Sequence, residues 1–194
     1  MLIVGTDPTA VEADLVGGGF GCPDCGGGLR PWGHGVEREV RLGAGSERRR
    51  FRRSMCGVCA RTHVLVPEDT LVRRRDGVGV IGAALAAKAG GAGHRRIAAV
   101  LGVAPSTVRG WLRRFGLWAS RIREHFCRWA HVLDPGRVPA TPAGSVFADA
   151  VDAVGVVAAM AVRRFGPRPP WSLASVLTGG ALLSNTSSPW AQPM

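Results

Sequence analysis

Cys22-Pro-Asp-Cys25 and Cys56-Gly-Val-Cys59 are two C-x-x-C pairs separated by 30 residues. No apolar pattern in the chain restricts its fold as much. Each tight turn can aim two sulfurs at one ion, and zinc favours four tetrahedral thiolates. Between the pairs, "VEREVRL" (36–42) sets Val36, Val40 and Leu42 on one side and Glu37, Glu39 and Arg41 on the other, which is strand periodicity. "GAGS" (43–46) reads as a turn. Past the second pair, "THVLVP" is a β-rich run that stops at Pro67. Residues 22–67 are therefore expected to form a small three-stranded zinc ribbon with one structural Zn2+ on Cys22, Cys25, Cys56 and Cys59. A sheet of this size has little core, so the metal supplies much of its folding free energy. The competing chemistry is a redox dithiol at "CPDC". Such a motif normally puts its first thiol at a helix N-terminus, and Gly26-Gly27-Gly28 is a poor helix start. His34 and His63 lie near the pairs, but four cysteines complete a shell, so both are read as surface or strand residues. Cys127 is read as a small buried hydrophobe.

"ERRRFRRSMCGVC" (47–59) crowds five arginines around Phe51 before the second pair. Composition alone suggests a basic tail, yet the segment is tethered by a turn on one side and a cysteine pair on the other. It is expected to be a ribbon strand with Arg49, Phe51, Arg53 and Met55 on one face, Phe51 inward and arginines projecting. Part of this charge balances the net −2 of a four-thiolate zinc site, and the rest is available to phosphate.

The charge extends beyond this run. The formal net charge is +11, and residues 22–131 hold 21 bases against eight acids, between near-neutral ends. A basic middle of this kind is the electrostatic footprint of a polyanion binder. The N-terminus is acidic and lacks a long apolar core, and the longest apolar run, "AVGVVAAMAV" (153–162), is too short to span a membrane. A soluble cytoplasmic, nucleoid-associated protein is expected, where thiols stay reduced and cysteine pairs point to metal.

Outside the ribbon the periodicity is helical. Asp7-Pro8 opens a short N-terminal helix within 1–21, carrying Val11 and Leu15 and ending at Gly17-Gly18-Gly19. "VGVIGAALAAKAGG" from Val78, "HRRIAAVLG" from His94 and "PSTVRGWLRRF" from Pro105 predict three helices. "LWASRIREHFCRWAHVL" predicts a fourth, with Trp118, Ile122, Phe126, Ala130 and Leu133 as its apolar stripe. Residues 134–145 read as a linker, 146–183 as a C-terminal helical segment broken at "GPRPPW", and 184–194 as a disordered tail. The fold class expected is α+β, mostly α.

Within residues 76–133 the stretch 94–115 has a more specific pattern. Ile97 and Leu101 form one apolar stripe, and Ala98 permits a close crossing. Gly102 makes the turn, Val103 plugs the corner, and Val108, Leu112 and part of Trp111 form the stripe of the next helix. Ser106, Thr107, Arg109, Gly110 and Arg113 are left on the outer face. That face suits a recognition helix in the major groove, with hydroxyls and the helix N-terminus on phosphate. Arg109 is long enough for two hydrogen bonds to a guanine edge, and Arg95, Arg96 and Arg114 stand where backbone contacts fall. The plainer alternative is a helical hairpin packed against the C-terminal helices.

"IAAVLGVAPSTVRGWLRR" resembles the homeodomain-like helix-turn-helix of bacterial transposases and resolvases. Together with "CPDCGGGLRPWG" and "CGVCARTHVLVP", it makes residues 7–183 resemble an uncharacterised actinobacterial family of zinc-ribbon plus helix-turn-helix proteins, often described as transposase-like. The resemblance implies binding to double-stranded DNA and names no reaction. It departs at Ala104, where the family usually has a serine that caps the recognition helix.

A catalytic transposase would need three acids on an α/β core to hold two metal ions. Glu124, Asp134, Asp149 and Asp152 fall in helix-like or linker sequence, and no P-loop, G-x-S-x-G or His-Glu-x-x-His motif occurs. The expectation is a non-enzymatic, zinc-stabilised DNA-binding protein, transposon-associated or transcription-regulatory, with no small-molecule substrate and no membrane partner. The alternatives are a remnant of a transposase and a protein-interaction module. In the latter the ribbon docks a polymerase or transposase partner while 146–183 forms a homodimer.

Overall fold

The computed structural model describes residues 1–43, 45–136, 144–184 and 189–190. Among these, six strands and seven helices follow one another as β1 (Leu2–Val4), α1 (Pro8–Val16), β2 (Leu29–His34), β3 (Arg38–Leu42), β4 (Gly45–Arg49), β5 (Arg52–Cys56), β6 (Thr62–Pro67), α2 (Val78–Ala89), α3 (His94–Leu101), α4 (Pro105–Leu117), α5 (Ala119–Leu133), α6 (Val146–Phe165) and α7 (Pro170–Leu177). The α+β, mostly α class follows. Part of the expected linker (137–143) and most of the expected tail (185–188 and 191–194) lie outside the described residues. Trp190, which is described, is only 4% exposed and donates from its indole nitrogen to the Leu182 carbonyl at 3.2 Å.

The ribbon has more strands than the three expected. Its main sheet runs β1-β6-β5-β2, and β3 and β4 form a separate two-stranded hairpin. β1 joins parallel to β6, with Leu2 opposite Leu65 and Val4 opposite Pro67. β2 carries Pro31 and Gly33, which argue against a central strand. It sits at the sheet edge, with a register shift between Pro31 and His34. α1 begins as read from the sequence: the Asp7 carboxylate accepts from Thr9 N at 2.9 Å, and Val11 and Leu15 are its buried residues.

The arginine run is not one strand. Its backbone leaves β4 after Arg49 and enters β5 at Arg52, so the segment changes partners from the hairpin to the main sheet. Phe51, at the crossing, is buried with Val40 and Val66 as expected. The guanidinium of Arg38 lies 3.8 Å from its ring centroid, a cation–π contact.

The helical unit holds the largest core. Val108, Trp111 and Phe115 of α4 and Ile122 and Phe126 of α5 join Ile81 and Leu85 of α2, Ile97 of α3, and Val154 and Val157 of α6. Interior packing of this kind makes each large side chain worth several kcal/mol, about 3–5 for a Phe→Ala change. Gly82 is where α7 meets α2: a Cβ there would stand 2.0 Å from Trp171 Cδ1, so a side chain at this position is incompatible with the packing. Cys127 is half-buried.

The two parts are joined at residues 68–77. Arg41 N donates to Arg75 O at 2.7 Å and Gly77 N to Arg41 O at 2.8 Å. The Arg41 guanidinium lies 3.3 Å from the Asp76 carboxylate. From the helical side, Ser175 Oγ donates to Thr70 O at 2.9 Å.

Candidate metal centre and basic helix face

The fold brings the four cysteines together. Their sulfurs lie within 4.8 Å of one another, with 3.8 Å between Cys22 and Cys59 and 3.5 Å between Cys25 and Cys56. A disulfide needs sulfurs about 2 Å apart, so these are free thiols. Four thiolates about 2.3 Å from a tetrahedral ion would stand about 3.8 Å apart, and the cluster fits that figure. The four cysteines can therefore hold one metal ion.

Local backbone geometry builds the two turns alike. Cys22 N donates to Gly27 O at 2.7 Å and Gly26 N to Cys22 O at 2.8 Å. In the second turn, Val58 N and Cys59 N reach Cys56 Sγ at 3.3 and 3.4 Å. The residue after each second cysteine is left-handed: Gly26 at φ 75° and Ala60 at φ 57°. The turns pack tightly, since a Cβ on Gly27 would meet Val58 Cγ2 at 2.7 Å and Cys56 Sγ at 3.1 Å. The backbone N–H groups of Cys59 and Val58 bring Cys56 down to about 6. At Cys25 the Gly27 N–H favours the thiolate, but hydrogen bonds with Cys56 and Cys59 outweigh it and push the thiol up to about 12.

His63 is a strand residue, as one of its two readings had it, but it is buried and not on the surface, and it adjoins this centre. It is on β6 but only 4% exposed, with Nε2 3.3 Å from Cys22 Sγ and Nδ1 3.3 Å from the N-terminal amine. Nε2 is also 3.9 Å from the Asp24 carboxylate. A ring N–H donated to a ligand sulfur delocalises thiolate charge and fixes the ligand's orientation. The available sequence signal was strand alternation, which puts His63 on the same face as the buried Leu65.

The arginine beside the thiols is Arg61, which bonds Asp24 at 3.2 Å; Asp24 first, then the Cys59 and Cys22 sulfurs, hold its guanidinium more firmly protonated. The run at 48–53 is occupied elsewhere. Arg49 makes a two-pronged bond to Asp69 at 2.6 and 2.8 Å and also contacts Glu47. Arg52 does the same with Glu12 at 2.6 and 2.8 Å and reaches the Gly33 carbonyl at 2.7 Å. Arg48 lies 3.5 Å from Glu37. Arg53 reaches only the Thr62 hydroxyl, at 3.5 Å, and Arg50 is exposed, so these two members of the run have no carboxylate partner among the described residues.

The second candidate surface is α4. Gly102 is left-handed at φ 62° and Val103 is buried at the corner, as the turn between α3 and α4 requires. α4 starts at Pro105 after Ala104, with no side-chain cap. Ser106, Arg109 and Arg113 are exposed and Thr107 and Arg114 half-buried. All five line one cleft of about 700 Å3 together with Arg74, Gly110 and Trp111. Arg95 and Arg96 on α3 are exposed but outside this cleft; Arg96 borders a separate hollow beside Ile97 and Gly91. Among the described residues, Arg95, Arg96, Arg109, Arg113 and Arg114 have no carboxylate partner. The sequence between Asp76 and Glu124 has no acid at all. Glu124 itself lies 3.9 Å from Arg128.

No protein-family model, curated protein or solved structure matches the chain. The resemblance to zinc-ribbon plus helix-turn-helix proteins rests on the sequence motifs. No helix among the described residues is long and apolar enough to cross a membrane.

Proposed function

We propose that the chain is a zinc-stabilised DNA-binding protein of the helix-turn-helix kind, acting by occupancy and not by chemistry, with α4 entering the major groove. The observation that carries this reading is the face of α4. Ser106, Arg109 and Arg113 share one side of the helix, with Arg109 and Arg113 unpaired, in a stretch of chain without a single acid. An arginine held away from carboxylates retains its donors for phosphate oxygens or a guanine edge. Arg95 and Arg96, outside the cleft, would meet the backbone of flanking DNA. The ion is zinc by the donor set, since four thiolates in a tetrahedron are its preferred shell. Its part is structural: it fastens the two turns, and His63 and the backbone N–H groups orient the sulfurs.

The test is selection of zinc-loaded protein on a pool of random duplex DNA at near-physiological salt. One enriched motif is expected, and Arg109→Ala should cut discrimination at one position by ~1–3 kcal/mol. Binding that enriches nothing and falls steeply with salt means backbone contacts alone, and the major-groove role is then withdrawn. A second reading has its own observation: Val132 on α5 and Phe165 on α6 are 60% and 63% exposed. Such apolar residues suit a homodimer or a docked transposase or polymerase partner. Monomeric behaviour at high concentration would remove the dimer.

A further inference from the structure

We propose that Arg74, in the segment joining ribbon to helices, forms with Arg114 a phosphate-binding site at the edge of the α4 face, gripping one phosphodiester of bound DNA. This rests on the DNA-binding reading of α4 and adds to it a residue from outside the helix-turn-helix stretch 94–115.

The segment is fixed in place. Arg73 holds a left-handed backbone at φ 59°, a conformation costly for a residue with a Cβ. It is kept there between the Leu71 carbonyl, which accepts from Arg74 N at 3.1 Å, and Arg75, whose carbonyl accepts from Arg41 N. Arg74 thereby points into the cleft of α4. Its Nη2 donates to the Leu183 carbonyl, while its Nε is buried without a partner. Burial first, then the proximity of Arg114, make its charged form less favourable, with Asp76 opposing. Asp76 is shared with Arg41 and does not line the cleft, nor does any other carboxylate.

Arg114 is folded back along its own helix. Its Nη1 lies 3.1 Å from where a Cβ on Gly110 would be, so the glycine leaves the space that the guanidinium uses. Two guanidiniums turned toward one cleft repel each other unless an anion stands between them. A phosphate, with its several acceptor oxygens, matches their planar donors. The hydroxyls of Ser106 and Thr107 border the same cleft. The contact would tie the ribbon-to-helix junction to the DNA backbone and so fix the angle at which α4 is presented.

The experiment compares the zinc-loaded chain with Arg74→Gln and with Arg114→Gln, which removes the second guanidinium while keeping Arg74. Each is titrated with inorganic phosphate, read from arginine side-chain NMR resonances, and with duplex DNA over a range of salt. A thermal melt checks that each variant folds. The expected result is phosphate-induced shifts at Arg74 and Arg114, lost in both variants. Alongside, Arg74→Gln should flatten the salt dependence of DNA binding by roughly 0.9, one phosphate's worth, with the preferred sequence unchanged. DNA binding with an unaltered salt slope in Arg74→Gln overturns the proposal and leaves the α4 reading standing. Phosphate shifts at both arginines without any duplex binding overturn the α4 reading and keep the site, for a phosphate from another source. If Arg74→Gln does not fold, the Arg114→Gln result alone decides: an unchanged phosphate shift at Arg74 rejects the site.

Discussion

In the ribbon, Arg49 and Arg52 each close a two-pronged ion pair on a carboxylate, whereas on α4 Arg109 and Arg113 face outward with no carboxylate beside them. As sequence, "RRRFRR" is the more conspicuous of the two. It is the one in which the fold pairs most of the charge: Arg48, Arg49 and Arg52 meet Glu37 before β3, Asp69 after β6 and Glu12 from α1. The difference follows from what holds each half together. The ribbon has small apolar clusters and leans on ion pairs and the thiol centre. The helices share a large core and can leave their surface charge free. Charge density along a chain therefore indicates a polyanion partner only after internal carboxylates are subtracted.

The largest test separates the halves. Cys56→Ser, or a strong chelator, should unfold the ribbon and release the ion, because structural zinc contributes on the order of 10 kcal/mol in small metal domains. The helical circular dichroism should persist. Full zinc stoichiometry in the mutant would contradict the site, and simultaneous loss of the helices would show that the two parts are one cooperative unit. The converse change is Phe126→Ala, a fully buried side chain on α5. It should cost ~3–5 kcal/mol in the melt of the helices without releasing metal. Metal loss on that substitution would again argue against independent halves.

The parts legible in the sequence were those set by local chemistry. Cysteine spacing pointed to the metal-holding set, apolar period to α3, α4 and α5, and Gly102 with Val103 to the corner before α4, whereas α7 begins at Pro170, inside the stretch read as a break. β1 was missed because a three-residue parallel strand owes its existence to β6, whose paired residues lie 63 positions further along the chain (Leu2 with Leu65), and not to any pattern of its own. β2 was hidden by Pro31 and Gly33, tolerated because the strand is an edge with a register shift. His63 was set aside because four cysteines already completed a shell, which counts ligands and ignores what orients them. The break between Arg49 and Arg52 was invisible for a related reason. Alternation predicts which face a residue takes, not which of two sheets it joins.

A smaller change would sharpen the picture of the ribbon. Gly26 and Ala60 occupy equivalent left-handed positions after their cysteine pairs, but Ala60 carries a Cβ there. Ala60→Gly should relieve about 1–2 kcal/mol of backbone strain and lose part of it to the freer unfolded chain, for a net gain of about 0.5–1 kcal/mol. Denaturant melts of the zinc-loaded protein would read it. A destabilised variant would mean that the alanine methyl makes a contact worth more than the strain.

The smallest effect bears most directly on the two sets of arginines. Arg52→Ala should leave DNA affinity unchanged and lower stability by about 0.2–1 kcal/mol, the range for an ion pair whose acid is largely in solvent. The hydrogen bond from Arg52 holds the Glu12 carboxyl below the usual range, with the charges of Arg52 and His34 assisting against a small burial cost. Because the folded value is the lower one, the stabilisation is complete above the ordinary glutamate pKa and disappears as pH falls through the lowered value. The difference between Arg52→Ala and the parent chain should therefore be largest at neutral pH and shrink in acid to what the Arg52 bond to the Gly33 carbonyl contributes. Arg109→Ala should show no stability difference at any pH, and its deficit should appear only when DNA is added. If Arg52→Ala weakened DNA binding as much as Arg109→Ala, the ribbon arginines would be exchanging carboxylate for phosphate on binding. The contrast between the two regions would then describe the free protein alone.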